Sequence, residues 1–335
     1  MDRPPVSENY RIIFTGPGVA ELQAAPLPRP QDNELLIRTR VSLISPGTER
    51  AFFLGLPNTS RQYPQPSGYS NIGEVVAVGA QVQGWKPGDR VASAAHHAAY
   101  VTVEAAKCLH VPDALPDEPA CFFNLTSIAL QGIRKARVEL GEAVAVVGAG
   151  LIGLLAVQLA RLQGALPAVS IDQDPQRLEF ADAIGVDAAL VAGDDLAPRL
   201  AELCDGEGAA VVVEATGHPD AILTALTLAR PFGRVVLLGS TRGETDHVNF
   251  YRDVHKKGLT LIGAHDSARP RLESTHGWWT QHDDRRIALQ LLARRRLQVE
   301  PLITDRFAWQ DALMAYETLQ SWSHTALGLL LDWTR

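Results

Sequence analysis

Residues 143–174 read AVAVVGAGLIGLLAVQLARLQGALPAVSIDQD, and the order of those residues leaves the chain few ways to fold. A short run of β-branched and small apolar residues leads into Gly148, Gly150 and Gly153; apolar residues at helical spacing follow, and a second apolar run closes on Asp172. The pattern predicts a strand, a tight turn, a helix and a parallel strand. Gly148 lets the chain turn off the strand, and Gly150 leaves room for a pyrophosphate against the backbone. Gly153 lets the helix lie close to the sheet. The helix N-terminus, at Leu151 and Ile152, then offers N–H groups and a partial positive charge to an anion. Asp172 stands 24 positions after Gly148. There a carboxylate accepts from both hydroxyls of an adenosine ribose and repels a phosphate on it, which favours NAD(H) over NADP(H). Gln173 follows, then Asp174 and Pro175 as cap and first residue of the next helix, and Arg177 is the one nearby cation. Its alternatives are a contact to the ribose or phosphate and an exposed helix charge.

At 335 residues, two domains are expected. With 31 basic against 38 acidic residues the net charge is −7, and the only basic cluster, Arg294 to Arg296, suits a helix C-terminus. Nucleic acid and anionic membrane are therefore not expected partners. The start of the chain carries no basic segment followed by an apolar stretch, and no apolar run reaches membrane-spanning length. Cys108, Cys121 and Cys204 are odd in number and far apart, so neither a disulfide framework nor a clustered metal site is expected. A cytoplasmic setting follows.

Residues 10–50 alternate as strands do, and SPGTER (45–50) reads as a turn entering a helix, with Thr48 a possible cap and Glu49 an acid in the first turn. Residues 52–67 are expected to be irregular. NIGEVVAVG, KPGDRV and HHAAYVTV continue the strands into a small barrel. From Phe122 the pattern turns helical, and strands then alternate with helices through VVVEATG, GRVVLLGS and LTLIGAH, the mark of a doubly wound parallel sheet. Thr216, Gly217, Gly239 and Ser240 end two of those strands at the carboxyl edge, where nucleotides bind. Residues 265–284 are long for a connection and carry Trp278 and Trp279, which wall a pocket for a ring-shaped ligand or pack between domains.

In this order the chain resembles the medium-chain dehydrogenase/reductase superfamily over nearly its full length. GxGxxG with Asp172, GEVVAVG ending in Gly79, KPGDRV (86–91) and the ATG turn at 215–217 carry the resemblance. It implies an α/β protein: a GroES-like β-barrel domain of residues 1–124 and 265–335, a Rossmann domain of 125–264, an active site in the cleft, and homodimers or homotetramers. Its zinc-dependent members hold the metal with a Cys in Cys-Gly-Thr-Asp, a His in Gly-His-Glu, and a Cys or Glu at the domain boundary. The matching positions here are Pro46 in PGTE, Tyr69 in GYS, and Asn124. No cysteine lies between Val91 and Tyr100, where a structural zinc lobe would follow. Both metals are thus expected to be absent, and His96 and His97, pointing to opposite faces, do not make a third site. The SPGTE and GYSNIGEV segments are similar to a zinc-less branch that includes bacteriochlorophyllide hydroxyethyl dehydrogenases and cyclitol or sugar dehydrogenases.

Without a metal, the charge on the substrate oxygen has to be stabilised by hydrogen bonds. Tyr69, whose phenol titrates near 10 when unperturbed, is the candidate acid–base; Thr48 matches the family's proton relay, and Asn124 carries an amide donor. Each has a plainer alternative: a packed aromatic for Tyr69, a helix cap for Thr48, a turn or cap residue for Asn124. His97 and His265 are weaker candidates. The expectation is a zinc-independent NAD(H) dehydrogenase acting on a secondary alcohol or ketone of a small ring or polyol substrate. An NADPH-dependent quinone or enone reductase and a nucleotide-binding protein without turnover are its alternatives.

Overall fold

Four consecutive buried residues form the strand Val144–Val147, and five more parallel strands assemble around it. Across the sheet the order is Ala188–Val191, Ala168–Asp172, Val144–Val147, Ala209–Glu214, Ala229–Leu237 and Thr260–Gly263. Val146 pairs with Ser170 on one side and Val213 on the other, so the two flanking strands are built outward in opposite directions from the first. The carboxyl ends of Val144–Val147 and Ala209–Glu214 therefore border the point where the winding reverses, the place such sheets reserve for ligands. Ala145, Val169, Val212 and Val235 form the core with Leu226 and Leu228 of the helix Ala221–Leu228. The strand Ala188–Val191 and the helix Leu196–Leu203 are elements that sequence patterning did not single out; the strand is short and only Leu190 in it is buried.

This computed structural model describes residues 8–275, 277–321 and 325–335. The chain divides into two units, Met1–Asn124 with Leu292–Arg294 and Ile303–Arg335, and Leu125–Leu291 with Arg295–Leu302. The absence of a leader at residues 1–7 was an expectation that lies outside the described residues. Among the described residues no helix is long and apolar enough to cross a membrane.

In the β-rich unit, the strand Glu34–Ile44 pairs antiparallel with Asn71–Val78, with Tyr100–Glu104 and with Gly328–Asp332. The last of these brings the end of the chain into the sheet begun near its start. Arg90–Ser93 and Ile303–Ala308 extend that sheet, and Val19–Pro26, Glu8–Gly16 and Gln65–Pro66 make a second one of three strands. Phe14, Phe53 and Tyr316 pack with ring centroids 5.2–5.6 Å apart at the centre of the core.

Three expectations are corrected here. HHAAYVTV is a strand only over Tyr100–Glu104; residues 94–99 are irregular apart from a bridge at Ala98. The helix Pro46–Leu54 runs into the stretch expected to be irregular. Residues 265–291 and 295–302 group with the parallel-sheet unit, whereas a boundary had been expected at 264/265. Polar anchoring accounts for this. Arg269, 3 % exposed, donates to Asp284 (2.7 Å) and Ser127 O (3.2 Å), Arg134 pairs with Asp284 at 2.9 Å, and Gln158 exchanges two hydrogen bonds with the Gln298 backbone.

Candidate dinucleotide site and the Tyr69 turn

At the switch point three strand ends are drawn together by glycines. Gly148 has φ of 105°, a conformation that L side chains rarely adopt, and a Cβ there would lie 2.8 Å from the Thr216 methyl. A Cβ on Gly153 would lie 1.8 Å from Gly148 O, so the helix Leu151–Gln163 can seat against the turn only as glycine. Gly150 differs. A Cβ on it would meet only the Arg177 guanidinium, 3.5 Å away. Gly150 also caps the helix without a side chain, and the first internal hydrogen bond runs from Leu154 N to Gly150 O. The N–H groups of Leu151, Ile152 and Gly153 precede the helical ladder and have no acceptor within it.

Asp172 closes this cradle. Its Oδ2 accepts from Ala149 N at 2.7 Å and its Oδ1 from Asp174 N at 3.0 Å, which fixes the carboxylate against the glycine turn with lone pairs left over. Asp174 caps the helix Pro175–Ala183 by accepting from Gln176 N at 2.9 Å, with Pro175 in the first turn, as the sequence implied. Gln173 is exposed between the two. Arg177 reaches the face of Gly150, so of its two alternatives the structure brings it to the cradle.

Thr216, Gly217, Gly239 and Ser240 lie together on the other side: a Cβ on Gly217 would lie 2.6 Å from Ser240 O, and one on Gly239 2.4 Å from Gly217 N. Glu214, which sequence reasoning passed over, ties this turn. Its Oε1 accepts from Thr216 N (2.6 Å), Thr216 Oγ1 (2.5 Å) and Gly217 N (3.0 Å), and its buried Oε2 has no hydrogen-bond partner among the described residues. Burial pushes this carboxyl above the usual range, although three donors pull it back. The available signal was an acid ending an otherwise aliphatic strand immediately before a Thr-Gly turn.

In the β-rich unit Thr48 is the third residue of its helix, and the capping position belongs to Ser45, whose N–H donates to Glu49 Oε1 at 2.8 Å. The expectation of Thr48 as a cap is thereby corrected; it is a half-buried hydroxyl in the first turn. Asn124, 4 % exposed, gives one amide hydrogen to Tyr69 O at 2.7 Å. That bond holds the Tyr69 backbone with one of the two Nδ2 hydrogens. Tyr69 is half-buried. The structure thus joins Asn124 to Tyr69 and shows no bond from Thr48 to either.

The donor set at these positions does not suit zinc. Pro46 has no ligating atom, a phenol and a carboxamide replace imidazole and thiolate or carboxylate, and the nearby Cys121 is buried with its thiol pushed well above its ordinary pKa, its Sγ 3.3 Å from Val41 O. His97 is fully buried and His96 exposed, but they lie outside any strand and both meet Gly68, so the expectation of opposite strand faces is corrected; His265 is exposed and bonded to Ser267 at 2.8 Å. Trp278 and Trp279 are 43 % and 48 % exposed, so the alternative of buried packing is set aside. The Arg134 guanidinium lies 3.8 Å from the Trp279 ring centroid.

A GroES-like unit and a Rossmann unit with a glycine cradle in one chain are the architecture of alcohol dehydrogenase-type oxidoreductases. Residues 31–115 match the alcohol dehydrogenase GroES-like domain and residues 152–276 the zinc-binding dehydrogenase domain, well over half of the chain together. The chain belongs to the medium-chain, zinc-type dehydrogenase family and is an enzyme of the alcohol dehydrogenase/reductase kind. Among relatives, human sorbitol dehydrogenase is 25 % identical over 93 % of both chains. The L-threonine 3-dehydrogenase of Bacillus licheniformis is 28 % identical over 93 % of this chain and 96 % of its own. A putative zinc-binding dehydrogenase from Sinorhizobium meliloti, solved bound to NADP, superposes with a TM-score of 0.82 at 23 % identity, covering 97 % of this chain and 99 % of that one.

Proposed function

We propose that this enzyme is a zinc-independent, NAD(H)-dependent dehydrogenase that interconverts a secondary alcohol and a ketone on a cyclitol, sugar-like or other ring substrate. The observation that carries the reading is the replacement of every family metal ligand: a proline, a phenol and a carboxamide stand there, the last committed to the backbone of the second. A polarising group is still needed, and Tyr69 is the one of the three with a proton to give or accept.

The glycine cradle, the uncapped helix and Asp172 fit a dinucleotide. When bound, a nicotinamide supplies the hydride acceptor or donor. Leu151, Ile152 and Gly153 would hold its pyrophosphate by their N–H groups, Asp172 its adenosine ribose, and Thr216, Gly217, Gly239 and Ser240 the other half. Asp172 would repel a ribose phosphate, whereas Arg177 would attract one. The carboxylate is fixed by two backbone bonds and Arg177 is a long side chain, which favours NAD(H).

In ketone reduction Tyr69 donates a proton to the oxygen as charge develops there; in oxidation it removes one, with Thr48 relaying it. Tyr69→Phe is expected to lower kcat by roughly 10²–10³-fold, the cost of one preorganised donor. Turnover that survives both Tyr69→Phe and Thr48→Ala would defeat this assignment. Elemental analysis should find no stoichiometric zinc, and NADH should bind more tightly than NADPH. Self-association is also proposed, on the support of the outer strand Thr260–Gly263, whose far edge carries no partner strand among the described residues. The three buried cysteines, none of them in a disulfide among the described residues, favour a reducing compartment.

A further inference from the structure

We propose that His97 and His96 form a clamp that aims Tyr69, His97 being braced from below by Glu49; the inference rests on Tyr69 as the acid–base group.

Residues 67–70 form an irregular segment in which four successive carbonyls each meet a donor. Ser67 O accepts from His97 N (2.8 Å), Gly68 O from His96 Nδ1 (2.9 Å), Tyr69 O from Asn124 Nδ2 (2.7 Å) and Ser70 O from Leu43 N (3.0 Å). Gly68 has φ of 83°, and a Cβ on it would lie 2.4 Å from the His97 ring, which therefore supports the residue just before Tyr69.

That ring is fully buried, yet it is polar at both nitrogens. Nδ1 lies 2.8 Å from Ser42 Oγ and Nε2 3.2 Å from Glu49 Oε2. Trp333 Nε1 donates to Ser42 Oγ at 2.9 Å, Tyr316 Oη to Glu49 Oε2 at 2.8 Å, and Ser45 N to Glu49 Oε1. One arrangement satisfies every atom: the Trp333 N–H to Ser42, the Ser42 O–H to His97 Nδ1, and the His97 Nε2–H to Glu49. The chain of bonds ties the strand Glu34–Ile44, the helices Pro46–Leu54 and Ala312–Gln320 and the C-terminal Trp333 to one ring.

Apolar side chains would fill the same volume, as they do in the surrounding core of Phe14 and Phe53. What they would not fix is direction. Buried hydrogen bonds are stiff and oriented, and a proton donor has to be placed to within a fraction of an ångström. Ser42, His97 and Glu49 follow the order of a hydrolytic triad, but Ser42 and His97 are wholly buried and the hydroxyl is already engaged by Trp333, so the set serves position and not attack.

The test is a double-mutant cycle with His97→Phe, which keeps the ring and removes its bonds, and Tyr69→Phe. The clamp predicts that His97→Phe alone lowers kcat by roughly tenfold or more while KM for NADH stays within about twofold. In the Tyr69→Phe background it should change the residual rate by less than about twofold. Equal losses in both backgrounds, or none in either, would overturn the proposal. Glu49→Leu, which removes the acceptor of that bond, should repeat the pattern and substitutes for His97→Phe if that variant does not fold. If Tyr69→Phe keeps the parental rate, the role of Tyr69 is what fails. The clamp is then judged by amide hydrogen exchange of residues 67–71, which has to rise by about tenfold or more in His97→Phe; unchanged exchange rejects it.

Discussion

Gly153 and Glu214 show how differently single residues declare themselves. The glycine is legible because no other residue fits 1.8 Å from a carbonyl oxygen, and the spacing of the motif names it. Gly153→Ala should cost at least about 2 kcal/mol through overpacking and should weaken NADH binding, readable by denaturant titration and by nucleotide fluorescence. Glu214 shows in the sequence only as an acid ending an aliphatic strand, since its role depends on donors from a turn that only the folded strand end presents. Its carboxyl is raised by burial, so the stability it contributes is fully present below the unfolded carboxylate value and is lost as pH rises through the higher folded value. Relative to the parent, Glu214→Gln should therefore gain stability as pH rises through that range. Unfolding curves of both proteins across that range check it, and a constant difference would refute it. Tyr69 lay between these cases: the family pattern marked its position, while the bonds that hold its backbone were not inferable.

At the scale of elements, most helices and strands announced themselves by period, including the closing strand Gly328–Asp332 and the helix Gln281–Ala293. What periodicity missed were partners. Asp284, 1 % exposed, looks like a first-turn acid in the sequence, yet it anchors its helix to Arg269 and Arg134. Burial pushes its carboxyl up in spite of both guanidinium groups. Arg269→Met should leave that carboxyl short of a partner and cost about 3–5 kcal/mol, seen as a lowered Tm; a change of under about 1 kcal/mol would mean the pair is dispensable. Thr48 illustrates the same limit. Ser45 and Thr48 both suit a cap, and only the backbone at Ser45 decided that the helix starts there.

For the whole molecule, the open edge at Thr260–Gly263 leads to an assembly prediction. Light scattering should give a dimer or tetramer mass, and a lysine at Leu261, which is 37 % exposed, should shift it toward monomer. A monomeric parent would remove the proposal. The sequence by itself determined the dinucleotide turn, the doubly wound sheet and the β-rich unit that closes with the last strand, because strand and helix periods and glycine sterics act over a few neighbouring residues. Only the tertiary structure decided that residues 265–302 chiefly join the parallel-sheet unit, that Glu214 secures the Thr216 turn, and that His97 lies beneath Gly68. The first and last depend on groups distant in the chain meeting in space, as Arg269 meets Ser127 across 142 positions and Glu49 meets His97 and Tyr316 across 48 and 267, while Glu214 depends on a turn that only the folded strand end presents; no local pattern encodes these meetings.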